Sequence, residues 1–259
     1  MPGFVSHMVM ARDVYNKLDN KYVNLDYMIA YSLGGDLSKY SKCRYNSHHK
    51  DMDKFIYTMA DYIKENNLIN NEKIMGVLYG HICHYIMDDT IHPLVRSIDK
   101  SCIYGKNKHT LIELYYDNYL VNKRYHIKKK KYLKNKLKVQ NDKEINIMLD
   151  YVYNKVYHVN NLAKYYQFNL FLYRRLKNIY QVFGDMVDKV RGLNRFVNNN
   201  KDVINNNYES LTDLYDLSVE LAYHYIMNVN KYLNIWQTFD SMIKYITRGE
   251  GLWIVLIKK

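Results

Sequence analysis

The chain has 259 residues, 48% apolar and 25% charged, with a net charge of +12, so it holds enough apolar material for a sizeable core and is globular, not disordered. Two prolines and ten glycines supply few breaks and favour helices, while three cysteines, Cys43, Cys83 and Cys102, exclude a disulfide framework. The positive balance points to an acidic partner, although an excess of Lys, Asn, Tyr and Ile is also what codon bias produces.

The start, MPGFVSHMVMARD, carries an acidic residue and no apolar run of signal length, which predicts a cytoplasmic protein. A first helix is expected near residues 7–19, followed by a polar loop from Gly34 to Lys50. In DMDKFIYTMADYIKENN, apolar residues recur at Phe55, Met59, Tyr62 and Ile63, a helical spacing whose first turn is favoured by Asp51 and Asp53. Further helices are expected over 71–91, 107–137, 143–165 and 167–190, then an Asn-rich loop from Asn194 to Asn207. SLTDLYDLSVELAYHYI repeats Leu211, Leu214, Tyr215, Leu221, Ala222 and Tyr225 on one helical face, and a last helix is expected over 236–247. Nothing alternates with period two for long enough to predict a strand. The run LWIVLI, Leu252 to Ile257, is far short of the roughly 20 residues of a membrane span. The reading is all-α, a single multi-helix domain over 1–259, with 1–125 carrying the chemistry and 126–259 mainly packing helices.

The chemistry concentrates in HICHYIMDDTIHP, His81 to Pro93. On one helix, His81, His84, Asp88 and His92 project within a wedge of about 80°. Ile74, Val77 and Leu78 extend that face one turn earlier, so the donors point inward. A buried carboxylate there costs several kcal/mol unless a cation compensates it. A second helix, HTLIELYYDNYL, sets His109 and Glu113 four apart, with Asp117 one turn further on. Seven of the ten histidines (His7, His48, His49, His81, His84, His92, His109) fall within the first 109 residues, along with Asp36 after a double glycine. Imidazole and carboxylate donors without cysteine at ligand spacing suit zinc best, then manganese or iron. Seven or more donors exceed the four that one zinc takes, which predicts a multinuclear site.

In this order and spacing, FVSH, SLGGD, HHKDMDKFI, GHICHYIMDDTIHP and HTLIELYYDNYL resemble the zinc-dependent phospholipase C and single-strand-specific nuclease superfamily, more narrowly its short intracellular bacterial branch. The resemblance covers roughly residues 2 to 125. It implies an all-α fold of the zinc-dependent phospholipase C type and a cluster of two or three zinc ions that hydrolyses phosphodiesters. By resemblance the first ion takes Asp36, His48, His84 and Asp88, and the second His92, His109 and Glu113. The third shares Asp88 and adds His7. Secreted members complete that third ion with an N-terminal tryptophan; here the secondary amine of Pro2, freed by loss of Met1, is the expected substitute. Asp36 is the expected catalytic residue, both ligand and orienter or general base of the attacking water. Asp89 and Asp117 are expected to fix a ligand imidazole, and His81 to be a satisfied core histidine or such a supporting residue.

The run NKRYHIKKKKYLKNKLK, Asn122 to Lys138, holds nine Lys or Arg residues. Read plainly it is a solvated helical face. Read functionally, Lys123 to Lys138 rest on an anionic membrane surface or nucleic acid, with Tyr125, Tyr132 and Leu133 adding apolar contact. The leading functional expectation is therefore a zinc-dependent phosphodiester hydrolase of phospholipase C type, acting on a phosphoester such as a phospholipid, with no obligate protein partner evident. Its rivals are a nuclease or phosphatase on the same metals, and a metal-stabilised scaffold without turnover.

Overall fold

A computed structural model describes residues 3–18, 23–38, 51–102, 108–134, 137–190 and 192–235, and every regular element among them is helical. Pro2, Cys43, His48 and the helix expected over 236–247 lie outside the described residues. The elements are α1 (Phe4–Lys17), α2 (Leu25–Tyr31), a 3-10 turn (Gly34–Ser38), α3 (Met52–Glu65), α4 (Glu72–Ser101) and α5 (Lys108–Tyr125). They continue with α6 (Lys129–Tyr132), α7 (Lys143–Tyr157), α8 (Ala163–Val190), α9 (Leu193–Asn199), α10 (Lys201–Asn206) and α11 (Tyr208–Tyr232).

Short polar side chains start three of these helices. Asn24 accepts from the Asp26 and Tyr27 amides of α2, Asn71 from the Lys73 and Ile74 amides of α4, and Asp142 from the Glu144 amide of α7. Each satisfies amide donors that the helix itself leaves open, worth about 1 kcal/mol. The long α4 is the axis of the fold. Every residue from Ile74 to Asp88 is buried, so this stretch has no solvent face, and α1, α2, α5 and α11 pack around it. One connected buried cluster runs from Val5 to Leu233.

Pro93 does not end α4 as the expected boundary at 91 requires. Proline removes one helical hydrogen bond, at a cost of about 3 kcal/mol. The helix nevertheless continues to Ser101, because Val95 and Ile98 on the following turns are buried, each contributing roughly 1.5–3 kcal/mol. This continuation keeps His92 in helical register with Asp88.

Three other boundaries differ. The single helix expected over 107–137 breaks at His126, whose φ of 52° is left-handed, and the chain folds back so that Tyr132 and Leu133 enter the core. Tyr125 bonds to Asp13, and its ring stacks on Tyr132 at 5.1 Å. The helix expected over 143–165 stops at Tyr157, with His158 left-handed after it, and the next starts at Ala163, whose amide is accepted by Asp150 Oδ1 at 2.8 Å. The Asn-rich stretch is two short helices instead of a loop. Leu193, Phe196 and Ile204 are buried there, and Asn200 and Asn207 turn their side-chain amides back onto the Phe196 and Val203 carbonyls.

Candidate metal centre

The first turn of α1 carries no acidic residue and no cap of its own. Asp117 of α5 supplies one from a distance: it accepts from Ser6 N at 2.8 Å, Ser6 Oγ at 2.5 Å and Val5 N at 3.4 Å. Position 3 has to be glycine for this approach, because a Cβ there would lie 2.2 Å from Asp117 Oδ2. Asp117 therefore holds the backbone beside His7 and not an imidazole, which corrects the role expected of it.

So anchored, α1 turns His7 onto α4. His7 Nε2 stands 3.3 Å from Asp88 Oδ1, and His84 Nε2 stands 3.5 Å from Asp88 Oδ2. The two imidazoles stack at 4.6 Å between centroids. One donor atom each from His7, His84 and Asp88 lie within 4.8 Å of one another, and all three side chains are buried. His84 Nδ1 donates to the Ser32 carbonyl at 3.1 Å, which leaves Nε2 with its lone pair on the Asp88 side.

The 3-10 turn closes over the same ring. Gly34, at φ 35°, sits so near that a Cβ would fall 2.3 Å from His84 Cγ. Asp36 follows two residues later and is buried in this turn, its amide bonded to Leu33 O.

His92 extends the donor set along α4, with Nδ1 4.0 Å from Asp88 Oδ1. Its ring lies 5.3 Å from that of His109, and His109 Nε2 is 2.8 Å from Glu113 Oε1. Burial pushes the His92 imidazole down to about 3, so at neutral pH it is uncharged and offers a lone pair. Exposure rises from His7 and His84, both sealed, to His109, a third exposed, so the cluster opens to solvent on the α5 side.

Of the expected residues, His7, His84 and Asp88 meet, His92 stands 4.0 Å from Asp88, and His109 pairs with Glu113 beside His92, while Asp36 lies in the turn over His84. His48 cannot be placed. Asp89 is exposed, one position past Asp88 and off the converging face. His81 is also apart. Its Nδ1 donates to Val77 O at 2.8 Å and its Nε2 accepts from Tyr166 at 3.0 Å, so of its two expected roles the satisfied core histidine fits. Sequence reasoning missed the Ser32 carbonyl, a backbone group that no residue type announces, and Tyr85, whose ring meets His84 edge-on at 5.7 Å.

The donor chemistry fits a divalent cation. A buried carboxylate faces imidazoles from two helices, and His7 Nδ1 makes no hydrogen bond among the described residues. Sulfur does not compete: Cys83 is buried in packing, and burial pushes its thiol well above the ordinary range. Nitrogen and carboxylate oxygen without thiolate is the donor set of zinc hydrolases.

His81 provides a stability readout that does not involve these donors. Burial lowers its imidazole from the ordinary 6.5 to about 4. As pH falls below 6.5, the unfolded chain takes up this proton first and the folded chain resists until about 4. The stability attached to neutral His81 is therefore present above 6.5 and lost towards 4, on the order of 3 kcal/mol. Urea unfolding of His81→Gln should show a large deficit at pH 7 that narrows towards pH 4. A deficit constant across this range would mean that His81 is not held neutral.

Helices that bring two imidazoles and a carboxylate to one buried point among the described residues define a class: all-α proteins with a candidate metal site. The family model for zinc-dependent phospholipase C matches residues 6–158, more than half of the chain, and the chain belongs to that family. The match takes in every converging donor and reaches beyond residue 125, through α7. No curated protein and no solved structure matches the chain.

Proposed function

We propose that this protein hydrolyses phosphodiesters at a di- or trinuclear zinc centre, with phospholipase C-type specificity. The observation that carries this reading is the meeting of His7, His84 and Asp88 within 4.8 Å, in a family that depends on zinc. Asp36, His84 and Asp88, with His48, are the proposed holders of one ion, and His92, His109 and Glu113 of a second. His7 and Asp88 are the proposed holders of a third. Bound zinc supplies Lewis acidity that polarises a phosphoryl oxygen and lowers the pKa of water.

The chain's own residues do the rest. Ser32 fixes the His84 tautomer through its carbonyl. Asp36 orients the attacking water and accepts its proton, a role worth roughly 10²–10⁴ in rate. The sealed side at His7 and His84 keeps bulk water off the buried donors, and the open side at His109 admits the substrate.

The test is the zinc content of protein purified without added metal, together with turnover of bis(4-nitrophenyl) phosphate. His84→Ala should lose zinc. Asp36→Asn should lower kcat by about 100-fold or more. Comparing phosphatidylcholine, single-stranded DNA and a phosphomonoester separates phospholipase from nuclease and phosphatase. Bound zinc with no turnover of any phosphoester would leave the metal a purely structural role and end the proposal.

A further inference from the structure

Helix α8 shows two unlike faces. Its inner face buries Tyr166, Asn169 and Leu170, and the Asn169 amide holds the Leu37 carbonyl at 3.0 Å, beside Asp36. Its outer face leaves Phe168, Phe171, Ile179 and Val182 exposed, Val182 by as much as 67%, and Phe183 and Met186 are exposed at and beyond a kink at Phe183, where φ is −119° and ψ 18°. At 100° per residue, Phe168, Phe171, Ile179 and Val182 share a wedge of about 80°, with Arg175 inside it. Scattered apolar residues need no explanation, but a contiguous stripe of large ones marks a surface built to be covered.

Within that wedge the charges have one sign: Lys164 and Arg175 share it, and from Ala163 to Phe183 the helix carries no acidic residue, Asp185 and Asp188 following only after Phe183. The Arg175 guanidinium lies over the Phe171 ring at 5.0 Å. Arg174 Nε donates to the Leu137 carbonyl at 2.8 Å, which brings the end of the lysine run against α8. Further along, buried Lys129 pairs with Asp188 of α8 at 3.4 Å, while Lys128, Lys130, Lys131 and Lys134 around it stay exposed.

We propose that the outer face of α8, with the lysine turn around α6 at its edge, docks in the plane of an anionic lipid surface. The apolar side chains would enter the boundary of the acyl region and the lysines and arginines would meet lipid phosphates. Among the described residues no helix is long and apolar enough to cross a membrane, so the attachment is interfacial. Charge selects this occupant over a second copy, since two such faces together oppose Lys164 and Arg175 to their equivalents with no carboxylate on the stripe. Single-stranded nucleic acid is the rival, since Phe168, Phe171 and Phe183 offer rings on which bases stack, and tighter binding to single-stranded DNA than to anionic vesicles would overturn the proposal. The basic run expected to touch lipid thus contributes charge, whereas its Tyr132 and Leu133 are buried and the apolar contact comes from α8.

The test uses the full chain and sedimentation with vesicles of 30% phosphatidylglycerol in phosphatidylcholine. Binding should be at least about 10-fold tighter than to pure phosphatidylcholine, and should weaken by a similar factor from 50 to 300 mM salt. Ile179→Asp and Val182→Asp should each weaken it by about 10-fold or more. Lys130→Glu with Lys131→Glu should also weaken it. Zinc content and turnover of the soluble diester should stay at the wild-type level in all of these, so loss of docking and loss of the proposed catalysis are separate results. Absence of binding to anionic vesicles by the wild type, or binding undiminished in Ile179→Asp, would overturn the proposal. So would variants that lower the melting midpoint or the molecular mass in solution without changing vesicle binding, because the face would then be covered by the chain itself or by a second copy.

Discussion

Asp88→Asn should cost the protein the zinc proposed to sit against His7 and His84 while leaving the fold intact. Asparagine keeps the volume of the side chain and removes the charge that stands 3.3 Å from His7 Nε2 and 3.5 Å from His84 Nε2. Because Asp88 is the only carboxylate in the fully buried cluster found among the described residues, no neighbour in that cluster replaces it. Zinc that binds only the folded chain at about 1,000 times its Kd stabilises by about 4 kcal/mol. For a chain of this size that amounts to roughly 10 °C in Tm. A strong chelator should therefore lower the wild-type midpoint by at least that much and lower that of Asp88→Asn by clearly less. Diester turnover in the variant should fall at least 10³-fold. A variant that retains its full zinc would show that Asp88 is a neighbour of the metal and not a ligand.

The second large effect belongs to a position without a side chain. At Gly34 an alanine Cβ would lie 2.3 Å from His84 Cγ and 2.5 Å from its Cβ and Cδ2, on a backbone with φ 35°. His84 has nowhere to retreat: it is fully buried, its Nδ1 is tied to Ser32 O and its ring is stacked on His7. Left-handed backbone strain of about 1–2 kcal/mol adds to overpacking of about 1–3 kcal/mol, so Gly34→Ala should destabilise by roughly 2–5 kcal/mol and displace a metal donor. Gly192→Ala is the control. Its φ of 77° carries backbone strain of the same kind, but nothing lies within 4 Å of its added Cβ. The cost there should be about 1–2 kcal/mol, with zinc content unchanged. Equal unfolding midpoints for the two variants would mean that the 3-10 turn yields and that His84 is not clamped.

What could be read from the chain alone was whatever depends on spacing along one helix. His84, Asp88 and His92 share a face of α4 because residues four apart always do, and His109 meets Glu113 on α5 for the same reason. The all-α class followed from apolar periodicity and the scarcity of prolines and glycines. Contacts between segments distant in sequence carry no such signature. That Asp117 caps α1 rather than an imidazole, that Ser32 sets the His84 tautomer, and that His81 turns to Tyr166 are decided by which helices pack together.

The same division explains the boundaries. Local rules end a helix at Pro93, carry one through His126, and make a loop of the Asn-rich stretch. Buried Val95 and Ile98 extend the first, burial of Tyr132 and Leu133 breaks the second, and Leu193, Phe196 and Ile204 order the third. By itself the sequence determined the helical class and the inventory of donors, since both are properties of neighbouring residues. Only the tertiary structure decided which donors meet and which apolar face of α8 is left outside, because burying side chains from distant segments outweighs local preferences of about 1–3 kcal/mol.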